Sequence, residues 1–516
     1  MSNLAGSVRE TAATAPDNTA ISVAGVETSY EDLWTLVRQF GAGLRSHGIE
    51  PGDRVALWLP NLPQFVVAFY GTIAAGAVAV PLHPEADRRH VEYALSNCEA
   101  RLVVTICDLA ARIQEYRALT KIEQVVTADG KHAVGVPFSA FLADWTLELV
   151  PRGADEIAIL AHTTGSNGKP VGVRLSHRNL HSTAKAVATH VLDLTPEDAQ
   201  LGAFPLSHVY GSTVTLQATV LRGASYYPLS TWQPDAALDL VEQHRLTCLH
   251  ATVPMYGDLL SCDGVEARDL SSLRFCGVSG ARVPTPLVER FEERFDRPLC
   301  EAYGTSESTG ITHVNTPAEH KTGSVGKSLP VVDDAVLTDE LGAVPPVERG
   351  PVTRGDAIEL PRVVGELVVS GPGVMRGYDE SGRSDPRRMI GDRSVLRTGD
   401  VCYHDRDGFV YVVDSAEEIV ETRYGTVFPA LLEDRILEHA DVADAAVVGA
   451  RKNGSVAVAA FVVPQRDDQR TRESIKEHCR SIHADPVPSR IAFVPELPRT
   501  PIGSIQKRLL RRQVLD

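Results

Sequence analysis

The chain has 516 residues, more than one hydrophobic core ordinarily serves, so two or more domains are expected. Its 43% hydrophobic and 23% charged content is that of a folded globular protein, and a net charge of −16 with no long basic run speaks against a nucleic-acid-binding surface. Eight scattered cysteines show no C-x-x-C pair and no metal-ligand spacing, which points to reduced thiols and a cytoplasmic setting.

The opening MSNLAGSVRETAATAPDN carries no apolar core of the signal-peptide kind. From residue 20 to 150, helical and strand-like segments alternate. VRQFGAGLRSHGI reads as an amphipathic helix closed by a glycine, and DRVALWLP and RLVVT read as short strands. The longest apolar run, Phe65 to Leu82, is interrupted by Gly71, Gly76 and Pro81. It reads as a buried helix followed by the strand in GAVAVPLHP, so no membrane span is expected. Such alternation predicts an α/β sheet of mainly parallel strands. No G-x-G-x-x-G follows a strand, which leaves a dinucleotide-binding Rossmann unit without its signature.

Next comes ILAHTTGSNGKPVGVRLSHRNL, Ile159 to Leu180. Gly165, Gly168 and Gly172 let the backbone approach a ligand closely. Loop amides, the hydroxyls of Thr163, Thr164 and Ser166, and Lys169 would form a cationic nest for phosphate oxygens. Taken alone, a Gly/Ser-rich run is as readily a flexible surface loop. AFPLSHVYG (Ala203 to Gly211) places His208 after a strand-like stretch, where an isolated histidine is most simply a hydrogen-bonded core residue. RFCGVSGARVP (Arg274 to Pro284) is a small-residue segment that a plain strand-to-helix turn also explains. EAYGTSESTG (Glu301 to Gly310) would pass for a polar turn. GELVVSGPGVMRGY (Gly365 to Tyr378) is extended, and LRTGDVCYHDRDGFVYVVD (Leu396 to Asp414) follows it. Beyond Asp414, two short β–α segments including ADAAVVGA and VAVAAFVVP suggest a small α+β domain.

In this order and spacing the motifs resemble those of the acyl-adenylate-forming superfamily, which includes acyl-CoA synthetases, luciferases and peptide-synthetase adenylation domains. The resemblance covers nearly the whole chain. It implies a large N-terminal domain with mainly parallel sheets and a small C-terminal α+β domain joined by a hinge: residues 1–413, 414–418 and 419–516. It implies acyl-AMP or AMP and CoA as ligands, with ATP and Mg²⁺ if adenylation operates. His208 with Val209, Gly211, Ser212 and Gly277 would line the acyl site, and Gly280 and Ala281 would lie against adenine. Tyr303 would stack on the base, with Gly304, Thr305 and Ser306 near the α-phosphate. Glu307 would hold Mg²⁺, Asp400 would accept from the ribose hydroxyls, and Glu417 would mark the hinge.

Several positions depart from the family pattern. LPRTPIGSIQKR (Leu497 to Arg508) stands where the family has P-x-G-K, so Ser504 replaces the lysine that bridges carboxylate and α-phosphate as the adenylate forms. A serine donates one neutral hydrogen bond and cannot neutralise charge in an in-line displacement. Asn167 stands for a usual threonine and Val171 for the lysine of PKG; Ser415 replaces an arginine beside the ribose. Tyr424 falls where glycine often admits pantetheine, with Gly425 adjacent. Lys507 is the nearest candidate to replace the missing cation, although an extended segment would turn it to the opposite face.

The losses fall on adenylation and spare the thioester step. An enzyme converting ready-made acyl-adenylate and CoA to acyl-CoA and AMP is therefore expected, supplied by a partner ligase. The alternatives are a complete ATP-dependent synthetase with a substitute cation, and a non-catalytic acid- or adenylate-binding protein. HTTGSNGKPVG together with PIGSIQK resembles the non-adenylating, thioester-forming ligases of platensimycin and platencin biosynthesis, which implies a bulky diterpenoid acid of secondary metabolism as acyl group.

Overall fold

All five residues of the strand Val78–Leu82 are buried, as a parallel strand covered on both faces requires. It lies inside a seven-stranded sheet. The order is Val136–Pro137, Gln124–Thr127, Leu102–Thr105, Arg54–Trp58, Val78–Leu82, Ile157–Thr163, Val171–Ser176, and only the last strand joins antiparallel. The run from Phe65 forms the helix Pro63–Ala74, begun by a proline whose missing N–H costs nothing there. This helix crosses Tyr30–Ser46 so closely that a Cβ on Gly71 would stand 2.7 Å from Phe40. This computed structural model describes residues 3–116, 119–130, 134–163, 170–338, 342–345, 364–380, 384–422, 425–452, 455–481, 488 and 490–515.

A second sheet has nine strands. It is parallel from Leu299–Tyr303 through Phe275–Ser279, Cys248–Thr252, Ala199–Gly202 and Ser225–Pro228 to Thr19–Val23. Short antiparallel strands close both edges. One core joins the two sheets, with Val55 and Leu57 of the first meeting Ile21 and Tyr226 of the second around Phe40 and Phe65. Asn61 clasps them together. Its side-chain amide donates to the carbonyls of Gly202 (2.8 Å) and Phe204 (3.0 Å), and its oxygen accepts the Leu206 N–H at 2.8 Å.

The expectation of mainly parallel strands holds for these two sheets. The third is antiparallel throughout: Asp333–Leu337, Gly365–Ser370, Arg387–Ile390, Arg393–His404 and Val410–Ser415. Asn179 links it to the first sheet through the carbonyls of Pro372 and Val374.

The smaller C-terminal domain follows. ADAAVVGA and VAVAAFVVP are not two β–α units, as the sequence suggested, but the arms of one hairpin. Val442–Lys452 and Ser455–Pro464 pair antiparallel down to Lys452 opposite Ser455. The dipeptide Asn453-Gly454 between them in the sequence is a strong short hairpin signal. Arg490–Phe493 adds a parallel edge, and the helices Pro429–Leu437, Gln469–Ser481 and Lys507–Leu515 complete the domain. All eight cysteines are buried. Among the described residues no helix is long and apolar enough to cross a membrane.

Candidate functional site

The candidate site draws on segments of the large domain and on a loop of the C-terminal domain that docks at Gly280. The first is the hairpin Ile157–Thr163 and Val171–Ser176. Thr163 opposes Val171 and His162 opposes Gly172, so the ends of the intervening loop are held one ladder rung apart. The loop residues Thr164, Gly165, Ser166, Asn167, Gly168 and Lys169 lie outside the described residues. Val171 is fully buried (0% exposed), so its side chain faces the core rather than the loop. A cation could not be placed there without burying its charge.

The second segment carries His208. Its Nδ1 accepts the Tyr210 N–H at 3.2 Å, which puts the neutral ring's proton on Nε2. Burial, reinforced by His83, lowers its pKa to about 4, so the ring is neutral at pH 7. Gly211 is obligatory: a Cβ would lie 2.1 Å from the Pro205 carbonyl oxygen. It opens a π-helical turn, Gly211–Gln217. Val209 is buried in the large core, and the Ser212 hydroxyl bonds back to His208 and Val209. Gly277 gives room to protein, since a Cβ there would meet His250 Nδ1 at 2.6 Å. His250 in turn pairs with the Tyr210 hydroxyl at 2.9 Å.

Tyr303 ends the strand Leu299–Tyr303, and its hydroxyl donates to Asp400 Oδ2 at 2.6 Å. Gly304 allows the chain to pass Ile311, whose Cα would be 2.5 Å from a Cβ. Thr305 caps the short helix Ser306–Ser308 reciprocally with Ser308. Glu307 accepts the Tyr378 hydroxyl at 2.9 Å through Oε1. No group of three or more His, Cys, Asp or Glu among the described residues could hold a metal. A Mg²⁺ held by Glu307 would need phosphates and water to complete its shell.

The closing loop, 500–506, supplies the last side chain. Gly503 seats on Pro254, and a Cβ there would be 2.6 Å from Pro254 Cδ. Ile502 packs beside Phe204 and Gly280, and the Ser504 hydroxyl donates to the Gly280 carbonyl at 2.6 Å. Ser504 therefore does reach the segment expected to hold adenine, next to Ala281. The neighbouring cations are engaged elsewhere. Lys507 pairs with Glu433 at 2.7 Å, Arg499 with Asp444 at 2.5 Å, and Arg282 with Asp434. Lys507 opens the helix Lys507–Leu515, so its direction follows from that ion pair rather than from strand alternation. At the base of the small domain, Glu418 N–H bonds the Ser415 carbonyl at 2.9 Å, forming a turn that leaves Glu417 exposed. Gly425 has φ 130 with open space around it, whereas Tyr424 lies outside the described residues.

Asn61, Tyr378, Arg282 and the His250–Tyr210 pair were not anticipated. Glu301 was not either; burial raises its carboxyl to about 8 despite Arg282 nearby. Tyr378, Arg282, Tyr210 and Glu301 sit in the quoted motifs without a role assigned to them, whereas Asn61 and His250 lie outside them; the partner of Tyr378, Glu307, is 71 positions away.

The AMP-binding enzyme model matches residues 8–379, and that of the AMP-binding enzyme C-terminal domain matches 431–504. A long-chain-fatty-acid–CoA ligase of Bacillus subtilis (strain 168) is 28% identical across 98% of this chain and 93% of its own. An oxalate–CoA ligase of Arabidopsis thaliana is 30% identical across 99% of both. ATP-bound MatB from Rhodopseudomonas palustris superposes with a TM-score of 0.87 at 25% identity, covering 100% of this chain and 99% of that one. The chain belongs to the AMP-binding enzymes, within the acyl-adenylate-forming superfamily of acyl-CoA ligases.

Proposed function

We propose that the protein converts a preformed acyl-adenylate and CoA to acyl-CoA and AMP, with its own adenylation step impaired or lost. One observation carries this reading. With the closing loop docked, the side chain presented at position 504 is a neutral hydroxyl spent on the Gly280 carbonyl. Lys507, Arg499 and Arg282 around it are already paired. Loss of one preorganised donor costs ~3–4 kcal/mol in a transition state, or about 10²–10³ in rate, and loss of a cation at least that.

Thioester formation asks less of the site. The thiol sulfur attacks the acyl carbonyl carbon, the C–O bond of the mixed anhydride breaks, AMP leaves, and the thiol proton passes to solvent. His208 offers its Nε2–H to the carbonyl oxygen, a role its neutral ring and fixed tautomer suit. Asp400, Tyr303 and the Gly280-Ala281 backbone would hold the nucleotide, with Thr305, Ser306 and the loop from Thr163 at the phosphate. We take residues 1–413 as the large domain, 414–418 as hinge and 419–516 as the small domain that must rotate between the steps. The turn at Ser415–Glu418 supports a pivot there.

The complete-synthetase reading is favoured by one fact: the chain matches whole CoA ligases end to end. The substrates those ligases are named for, long-chain fatty acids and oxalate, differ too widely to name the acyl group. A bulky diterpenoid acid, made available as adenylate by a separate ligase, remains our first probe. Synthetic adenylates of this acid and of long-chain and aromatic acids, incubated with CoA, should yield acyl-CoA without ATP. No thioester from any of them would leave only a binding role.

A further inference from the structure

Asp400 sits in an acidic neighbourhood. Its carboxylate is on the strand Arg393–His404, directly opposite Ser415 in the antiparallel ladder. The charged groups that bear on it are Asp414 from the facing strand, Glu366 from Gly365–Ser370, and Glu307 from the short helix Ser306–Ser308. All three are carboxylates. Glu366 is itself held by Arg397, and Glu307 takes the Tyr378 hydroxyl. The polar donor that reaches Asp400 is the Tyr303 phenol, at 2.6 Å on Oδ2. The backbone beneath is also fixed: Asp400 N–H donates to Thr398 Oγ1 (3.1 Å), whose hydroxyl donates to Leu367 O (2.8 Å).

Resting on the nucleotide reading above, we propose that the Tyr303 hydroxyl is a positioning group for nucleotide selection. By holding Oδ2 it aims the second oxygen of Asp400 as acceptor for a ribose cis-diol, a task separate from any stacking by the ring. Burial raises Asp400 to about 6, with the phenol opposing that rise and the three carboxylates adding to it. Burial and Asp400 also push the phenol well up, so Tyr303 stays a donor across the working pH range. A protonated Asp400 loses acceptor capacity, so binding of a diol should weaken as pH falls through about 6. Without the phenol the carboxyl would titrate higher still.

The test is calorimetric titration of AMP, 2′-deoxy-AMP and 3′-deoxy-AMP into wild type and Tyr303→Phe between pH 5 and 9, with Asp400→Asn as reference. Tyr303→Phe keeps the ring and the packing. Expected are roughly tenfold weaker AMP binding at pH 7, an upward shift of the acid midpoint by about one pH unit, and a smaller ribose-over-deoxyribose preference. AMP binding with unchanged midpoint and preference in Tyr303→Phe would overturn the proposal alone. No AMP binding by the wild type at any pH would overturn the nucleotide reading and the proposal with it.

Discussion

Individual residues divide into those whose chemistry is local and those defined by distant partners. Asp334 belongs to the second kind. Burial disfavours its charge, but the hydrogen bond from His404 (2.7 Å) and the approach of His313 (3.5 Å) outweigh that and hold its carboxyl far below the usual range. A carboxyl depressed by folding stabilises the native state above its unfolded pKa, and that stability is lost as pH falls. The melting temperature should therefore fall steeply as pH drops below about 4, and Asp334→Asn should be less stable at pH 7 with a flatter acid limb. Equal pH slopes in both proteins would contradict this. Val171 is a case where the fold revises a sequence argument. Its absent charge was legible, but its full burial was not, and Val171→Lys would bury an ammonium instead of restoring a phosphate contact. Ser504 is the position to change.

At the scale of elements, the apolar runs were the most legible part of the chain. Phe65 to Leu82 became a buried helix and a buried strand because five consecutive buried residues admit few alternatives. The motifs quoting His208, Tyr303 and Asp400 were legible because residue type and order carry the chemistry. Asn61 was not, since its three bonds span 141 to 145 positions and nothing local marks it. Those bonds hang the His208 segment from the first sheet. Asn61→Ala would leave two carbonyls and one N–H in a buried setting, at roughly 1–3 kcal/mol for each left unsatisfied. We expect a lower denaturant midpoint together with slower thioester formation, read in parallel by urea titration and steady-state assay. A stability loss without any change in rate would mean that Asn61 does not position His208.

Across the whole molecule, the small domain is held closed by contacts that sequence could not pair. Arg282 meets Asp434, 152 positions away, and Ile502, Gly503 and Ser504 dock on the segments around Phe204, Pro254 and Gly280. The arginine and aspartate side chains are 34% and 27% exposed, so this ion pair guides closure more than it stabilises it. Closure delivers Ser504 to the main chain beside the expected nucleotide site, where a cation would be needed for adenylation. The most direct measurement is ATP–pyrophosphate exchange with a panel of carboxylic acids, in wild type and in Ser504→Lys. Wild type should exchange at least 10²–10³-fold more slowly than the variant, while both turn over acyl-adenylate with CoA. Brisk exchange by the wild type, or none gained by a folded Ser504→Lys that still binds adenylate, would contradict the account.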